Sequence, residues 1–467
     1  MDAVSWGLGT TFGEEHFGNV DLGDRRRNAR MVQLANLLIQ HPGGTLPDKC
    51  KAPADLKALY RLMNCPNVTH ASVLESSRQR TFDLMRAHLG PVLIIHDTTE
   101  LDYTECLSLT GLGQIGNGNC RGYECHNSLV VAAETKATLG LANQILHKRR
   151  VAIKGETRAE TREAPDRESR LWKRGSLSLP MAPVGRHWIE VADRAADVTE
   201  FLDHMDVFGK LYVVRSQFNR HILVNSNGKT RKLKLHDFAR SLSVSGSREV
   251  KVGARPGKLA RMVTVGVGWA PLLICPPRQR RGEERGVFLQ AWVIYVRELN
   301  PPAGEEPLEW ILLTNVAVNC LEEAFERVDW YSTRWKIEEY HKCLKTGCGI
   351  ETMQFTTEDR LQPAIALLSV VALCLLNLRD AGRAPDAATR PATDVFSQVF
   401  VDVLSLWRYG CRKDLTVQEF FLALARMGGH QNRKHDHLPG WLVLWRGWTH
   451  LQPMAQLAHT LAMERCG

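Results

Sequence analysis

Residues 91–103, PVLIIHDTTELDY, constrain this chain most, because four consecutive apolar residues (92–95) stop abruptly at polar ones. A run of that kind suits a strand buried on both faces, so it predicts a central strand of an α/β sheet with Asp97 at its carboxyl end. RHWIEVADRAADVTEFLDHM, from Arg186, has the same form: a short apolar strand, then the acid Asp193, then a helix. Strand ends in an α/β sheet open onto a common crevice, so Asp97 and Asp193 are candidates to meet there. Either aspartate alone reads first as a cap or turn residue; it is the joint pattern that points to a site. Asp197, one turn further on, is expected to support the helix or to take an Arg contact.

A third acid lies far along the chain. Tyr331, Arg334, Glu338 and Lys345 are spaced by three, four and seven residues in a segment that reads as one helix, starting at Asn319 with Glu322 three residues on and stopping at Gly347. At about 100° per residue these four side chains project within about 60° of one another. Glu339 points about 100° away from Glu338, which makes Glu338 the carboxylate of that face. Such a face suits a metal ion and phosphates; the alternative is a solvated polar face, and for Lys345 a favourable placement at the end of the helix dipole.

With 467 residues and 44% hydrophobic content the chain is long enough for two or three domains. The opening MDAVSWGLGTTFGEEHFGNV lacks the basic start and apolar run of a secretory signal. Residues 364–376 are too few to cross a bilayer and predict a buried core helix instead. Twelve scattered cysteines form no secreted disulfide framework and are expected to be reduced thiols. Cys120 and Cys125 followed by His126, and Cys343 with Cys348, have spacings compatible with zinc, a weaker reading than free thiols.

The net charge of +9 is unevenly placed: residues 210–261 hold thirteen Lys or Arg against Asp237 and Glu249, a local +11 that leaves −2 for the remainder. That excess favours a polyanion-binding surface, with a merely solubilising surface as the alternative. The first ninety residues read as helical, and Arg25, Arg26, Arg27 and Arg30 follow Asp24, a possible helix cap, so that Arg27 and Arg30 share a face. Residues 210–300 alternate apolar and polar positions and predict a basic, β-rich segment. PLEWILLTN predicts a further strand before the Glu338 helix, and the chain after Arg379 reads as helical.

Together these residues resemble the DDE transposases of the Tn-five type within the IS-four group. YSTRWKIEEYHKCLKTG from Tyr331 is similar to that family's Tyr, Arg, Glu, Lys motif, while DTTELDY at Asp97 and DRAAD at Asp193 are similar to its other acidic motifs. GDRRRNAR resembles its amino-terminal DNA-binding helix, and LARMGGHQNRKHDHLPGWLVLWRGW its carboxyl-terminal region. The resemblance implies an α/β protein with an RNase H-like catalytic core (76–380) interrupted by a β-rich insertion at about 205–305, a helical N-terminal DNA-binding domain (1–75) and a helical C-terminal dimerisation domain (381–467).

It further implies that Asp97, Asp193 and Glu338 hold two Mg²⁺ ions, or Mn²⁺, hard cations that prefer oxygen donors. Tyr331, Arg334, Lys345, Arg215, Arg26, Arg27 and Arg30 would contact DNA. Trp310 would stack on a base flipped from the duplex, or else pack in the core. Trp441, Trp445 and Trp448 would form an apolar dimerisation stripe, or be core. Thr104 departs from the family pattern, where a basic residue is expected. The implied partners are double-stranded DNA, as terminal repeats and target, and a second copy in the synaptic complex, in the cytoplasm with the bacterial nucleoid. A repressor without catalysis and an RNase H-like endonuclease without strand transfer are the rival readings.

Overall fold

The computed structural model describes residues 11–40, 43–50, 52–150, 155–226, 228–252, 261–277, 286–433 and 438–464. Five helices open it: α1 (Phe12–Phe17), α2 (Arg25–Gln40), α3 (Leu46–Cys50), α4 (Pro53–Met63) and α5 (His70–Ala87). Asp24 Oδ1 accepts the backbone N–H groups of Arg26 (2.8 Å) and Arg27 (3.4 Å), which satisfies two donors that the first turn of α2 leaves open. Met31, Leu34, Ala35, Leu38 and Ile39 then form the buried stripe of α2 at helical spacing. Thr69 caps α5 reciprocally with Ser72.

The strands follow as β1 (Val92–Asp102), β2 (Gly113–Gln114), β3 (Arg121–Ala132), β4 (Thr138–His147), β5 (Trp188–Ala192), β6 (Leu211–Arg215), β7 (His221–Ser226), β8 (Lys229–Lys234), β9 (Gly246–Val252), β10 (Arg261–Ile274), β11 (Leu289–Glu298) and β12 (Glu309–Thr314). They make one mixed sheet in the order β2-β3-β1-β5-β6-β12-β11-β10-β7-β8, with β4 beside β3 and β9 beside β10. Among the described strands, β1-β5 and β5-β6 are the pairs that run in parallel. β5 is buried on both faces, and so is β1 from Val92 to His96, in keeping with the apolar run of β1, while the one acid inside β5, Glu190, is paired with His96 and Lys210. Helices α6 (Arg158–Glu163), α7 (Leu171–Leu177) and α8 (Thr199–Val207) flank β5, and α9 (Leu235–Ser241) follows β8.

β1 is longer than its apolar run. Beyond His96 it loses its parallel neighbour but stays paired with β3 through Asp102, so Asp97 sits mid-strand at the point where the parallel ladder ends. The basic segment is also less free than its charge count suggests. Arg220, Arg240, Arg248 and Arg261 are neutralised by Asp197, Glu309, Asp329 and Glu298. Every residue of β8 (KTRKLK) is exposed, and its cations also discourage edge-to-edge pairing. Lys258 and Arg255 lie outside the described residues.

The expected single helix around Glu338 is three pieces: α10 (Leu321–Ser332), α11 (Trp335–Lys342) and a π turn, Cys343–Gly347. Ser332 and Thr333 hydroxyls donate back to the Asp329 carbonyl at 2.9 and 2.8 Å, competing with the α ladder, and the following turn closes by i to i+3 bonds from Arg334, Lys336 and Ile337. Cys320 rather than Asn319 occupies the N-cap position of α10, without a side-chain cap bond, and Glu323 reaches back to the Asn319 N–H at 2.7 Å while Glu322 bonds Cys320. The π turn ends at Gly347, and Gly349, at φ +60°, reverses the chain.

Then come α12 (Glu358–Ala381), α13 (Gln398–Tyr409), α14 (Val417–Met427) and α15 (Trp441–Glu464). α12 is longer than the apolar stretch 364–376. By length and composition it could cross a bilayer, but 89% of its most apolar window is buried inside the protein. Trp441, Trp445 and Trp448 are buried within the same chain, Trp448 stacking on Phe400 at 4.9 Å, so this stripe packs the core of its own chain. Cys125 and His126 are neighbours on β3 and so point to opposite faces, while burial raises the Cys125 and Cys348 thiols to about 12.

Candidate active site

The β1-β5 ladder ends with His96 beside Ala192, so the next residues, Asp97 and Asp193, leave adjacent parallel strands side by side. The Asp97 carboxylate accepts from the Thr98 N–H at 2.8 Å, and Asp193 Oδ1 accepts from the Ala195 N–H at 3.0 Å, capping the short turn Arg194–Ala196. α11 crosses β1 and brings Glu338 to the same place. Between them stands Arg334, donating to Asp97 Oδ2 at 3.0 Å and to Glu338 Oε1 at 2.7 Å.

The acids influence one another. Burial pushes the Asp97 carboxyl up to about 6; Arg334 opposes that rise, and the charges of Asp193 and Glu338 add to it. Among the described residues no three His, Cys, Asp or Glu side chains are already gathered as a metal-binding set. The donor chemistry nonetheless fits a hard divalent cation: Asp97 feels the charges of Asp193 and Glu338, and the guanidinium of Arg334, bonded to Asp97 and Glu338, offsets that repulsion.

Glu338 is held in place by its neighbours. Glu339 lies 3.1 Å from Arg379, Lys336 pairs with Asp380, and Tyr340 Oη donates to the Ser369 carbonyl at 3.1 Å. These bonds fix α11 to α12, leaving Glu338 to face Asp97. The ionic brace was not expected from the sequence, although by helical spacing alone Lys336 and Tyr340 fall on the far side of α11 from Glu338 and Glu339 about 100° round from it.

The other candidates divide. Tyr331 is buried, hydrogen bonded to Arg215, and packed edge to face against Trp310 with ring centroids 5.1 Å apart. Burial lowers the Arg215 guanidinium and raises the Tyr331 phenol. Arg215 also lines a cavity of about 280 Å³ with Arg194, Gln217, His236, Arg240 and Glu309. Arg194 was missed, although its place directly after Asp193 pointed to it. Trp310 is half-buried on β12, consistent with packing against Tyr331.

Lys345 is placed differently from expectation. The π turn rotates it out of α-helical register, and its Nζ lies 3.0 Å from Glu351, whose Oε1 also accepts the Asp102 N–H at 2.8 Å. Thr104 closes the turn after β1, donating to Asp102 and accepting the Arg121 N–H at 2.9 Å. In the amino-terminal cluster Arg26 and Arg30 are exposed, but Arg30 approaches Asp55 at 3.7 Å and Arg27 turns back to the Leu22 carbonyl at 3.2 Å. Arg27 and Arg30 therefore do not offer two free cations on one face.

Fold and site together define a mixed α/β protein whose carboxylates and cations converge at one point of a large sheet. Residues 10–68 match the transposase DNA-binding family model, the region holding the Arg26 cluster. That match supports a transposase that binds DNA.

Proposed function

We propose that the chain is a cut-and-paste DDE transposase of the Tn-five type, and one observation carries the reading: Arg334 bridges Asp97 and Glu338, with Asp193 close enough for its charge to act on Asp97, in a chain whose residues 10–68 match a transposase DNA-binding region. The strand order β4-β3-β1-β5-β6, antiparallel on one side of β1 and parallel on the other, supports an RNase H-like core. Strands β7 to β11 lie between β6 and β12, in keeping with a β-rich insertion at about 205–305.

Asp97, Asp193 and Glu338 would hold Mg²⁺ or Mn²⁺, two ions per site, which when bound activate the attacking oxygen and neutralise the leaving oxygen at phosphorus. Arg334 clamps phosphate once it is released from the carboxylates, a bidentate fit suited to a guanidinium. Arg215 and the Tyr331 hydroxyl orient the strand beside it, and Arg194 adds positive charge at the lip. Water nicks one strand, the freed 3′-hydroxyl attacks the opposite strand to form a hairpin, water reopens the hairpin, and the 3′-ends join target DNA. The protein would act as a homodimer on paired terminal repeats.

Glu338→Gln tests this. Incubated with a duplex of the inverted repeat that flanks the encoding gene and with Mg²⁺, the full-length protein should cleave, and the variant should bind the duplex equally but not cleave. Cleavage by the variant would reject the assignment. The closure of Arg334 on Asp97 and Glu338 favours, as a second reading, a repressor that binds terminal repeats without cutting; a wild-type protein inert in plasmid excision would establish it.

A further inference from the structure

Asp97, Asn127 and Gln144 form one row across three strands, since Asp97 pairs with Asn127 on β3 and Asn127 pairs with Gln144 on β4. Paired residues in antiparallel strands point to the same face, so this row lies under α11. Asn127 and Gln144 are buried and polar, and every bond between them has a defined direction. Asn127 Nδ2 donates to the Cys125 carbonyl, which can only accept, and this fixes the orientation of the amide. The same Nδ2 lies 3.1 Å from His341 Nε2, which must then be the acceptor.

The chain continues the other way. Gln144 Nε2 donates to Asn127 Oδ1 at 2.8 Å, and Gln144 Oε1 lies 2.9 Å from His70 Nε2, the donor that this orientation demands. The direction is thus unbroken from His70 through Gln144 and Asn127 to His341. Burial lowers both imidazoles, His341 to about 3, which keeps them neutral as the bonding pattern needs. His341 is one turn beyond Glu338 on α11, and His70 is the first residue of α5, two residues past the segment 10–68. Buried, fully bonded rows of this kind hold the elements they join in one relative position.

We propose that the row His70, Gln144, Asn127 and His341 is a positioning relay through which the DNA-binding segment sets the placement of Glu338 beside Asp97. It rests on the transposase reading above. His341 touches no reacting atom; it acts by holding α11. DNA seated on residues 10–68 is felt at α5, and the same bonds carry that constraint to the catalytic helix.

The test uses the full-length protein, the inverted-repeat duplex and Mg²⁺ in single-turnover cleavage, with duplex affinity and melting temperature measured beside it. His341→Leu should slow cleavage by about 10- to 100-fold with affinity unchanged, as loss of a supporting bond does. His341→Gln offers an acceptor to Asn127 and should recover most of that loss. His70→Leu should also slow cleavage, and the double variant should be no slower than His341→Leu alone, because both cut one chain. Wild-type rates in His341→Leu and His70→Leu, or strictly multiplicative losses, would overturn the relay. A second readout needs no catalysis: adding the duplex should shift the imidazole nitrogen resonances of His341, and His70→Leu should remove that shift. A shift that survives His70→Leu would equally reject the relay. Wild-type protein that fails to cleave yet shows the His341 shift would sink the transposase reading and leave the relay standing.

Discussion

Arg334 spans Asp97 and Glu338, with one guanidinium nitrogen 3.0 Å from Asp97 Oδ2 and the other 2.7 Å from Glu338 Oε1. A strand and a helix separated by more than two hundred residues are thereby joined through a cation. The same side chain neutralises the charge that gathers where the β1-β5 ladder ends.

Asp97→Asn should stabilise the folded protein at neutral pH. The folded Asp97 carboxyl titrates near 6, above its ordinary value of 3.8. Its folded state therefore holds the proton more tightly, so its contribution is fully present below pH 3.8 and is lost as pH rises to about 6. Asparagine has no such loss. The variant's advantage in urea unfolding should grow across that window and level off at roughly 1 to 3 kcal/mol. An advantage that does not change with pH would contradict this account.

Arg334 and a divalent cation compete for the same carboxylates. Arg334→Ala should therefore bind Mn²⁺ about tenfold more tightly in the absence of DNA, the equivalent of one charge-assisted bond, while cleaving DNA more slowly. Titration followed by the resonance of free Mn²⁺ reads the first effect. Weaker Mn²⁺ binding by the variant would remove Arg334 from this role.

Glu338 and Glu339 are adjacent but do different work. Glu339→Gln should lower stability by about 1 kcal/mol through loss of the Arg379 contact and slow cleavage only a few-fold, because Lys336 and Tyr340 still hold α11 on α12. Glu338→Gln should do the reverse. Thermal melting and a cleavage assay on both variants suffice, and identical behaviour of the two would refute the division.

Trp310 rests edge to face on Tyr331, an arrangement worth about 0.5 to 1.5 kcal/mol beyond area burial. Trp310→Ala should cost stability of that order and, if the ring also meets an extruded base, should impair hairpin formation more than the first nick. Gel resolution of nicked and hairpin products decides it: equal loss of both would assign Trp310 to packing alone.

Local pattern was enough to read much of this protein. An apolar run ending in polar residues marks a central strand, so Asp97 and Asp193 were legible as acids near strand ends, and helical spacing separated Glu338 from Glu339. These features depend on neighbours within a few residues, where backbone geometry dictates which side chains share a face. Contacts between distant segments were not legible. The extension of β1 through Asp102 follows from pairing with β3, and the pairing of Arg248 with Asp329 from the way β9 is laid against α10. The π turn that carries Lys345 to Glu351, and the burial of Trp441, Trp445 and Trp448, likewise arise only once helices are packed. Residue type and spacing determined which groups were available; sheet order and helix packing decided which of them meet, because those partners are set by tertiary neighbours that no local periodicity encodes.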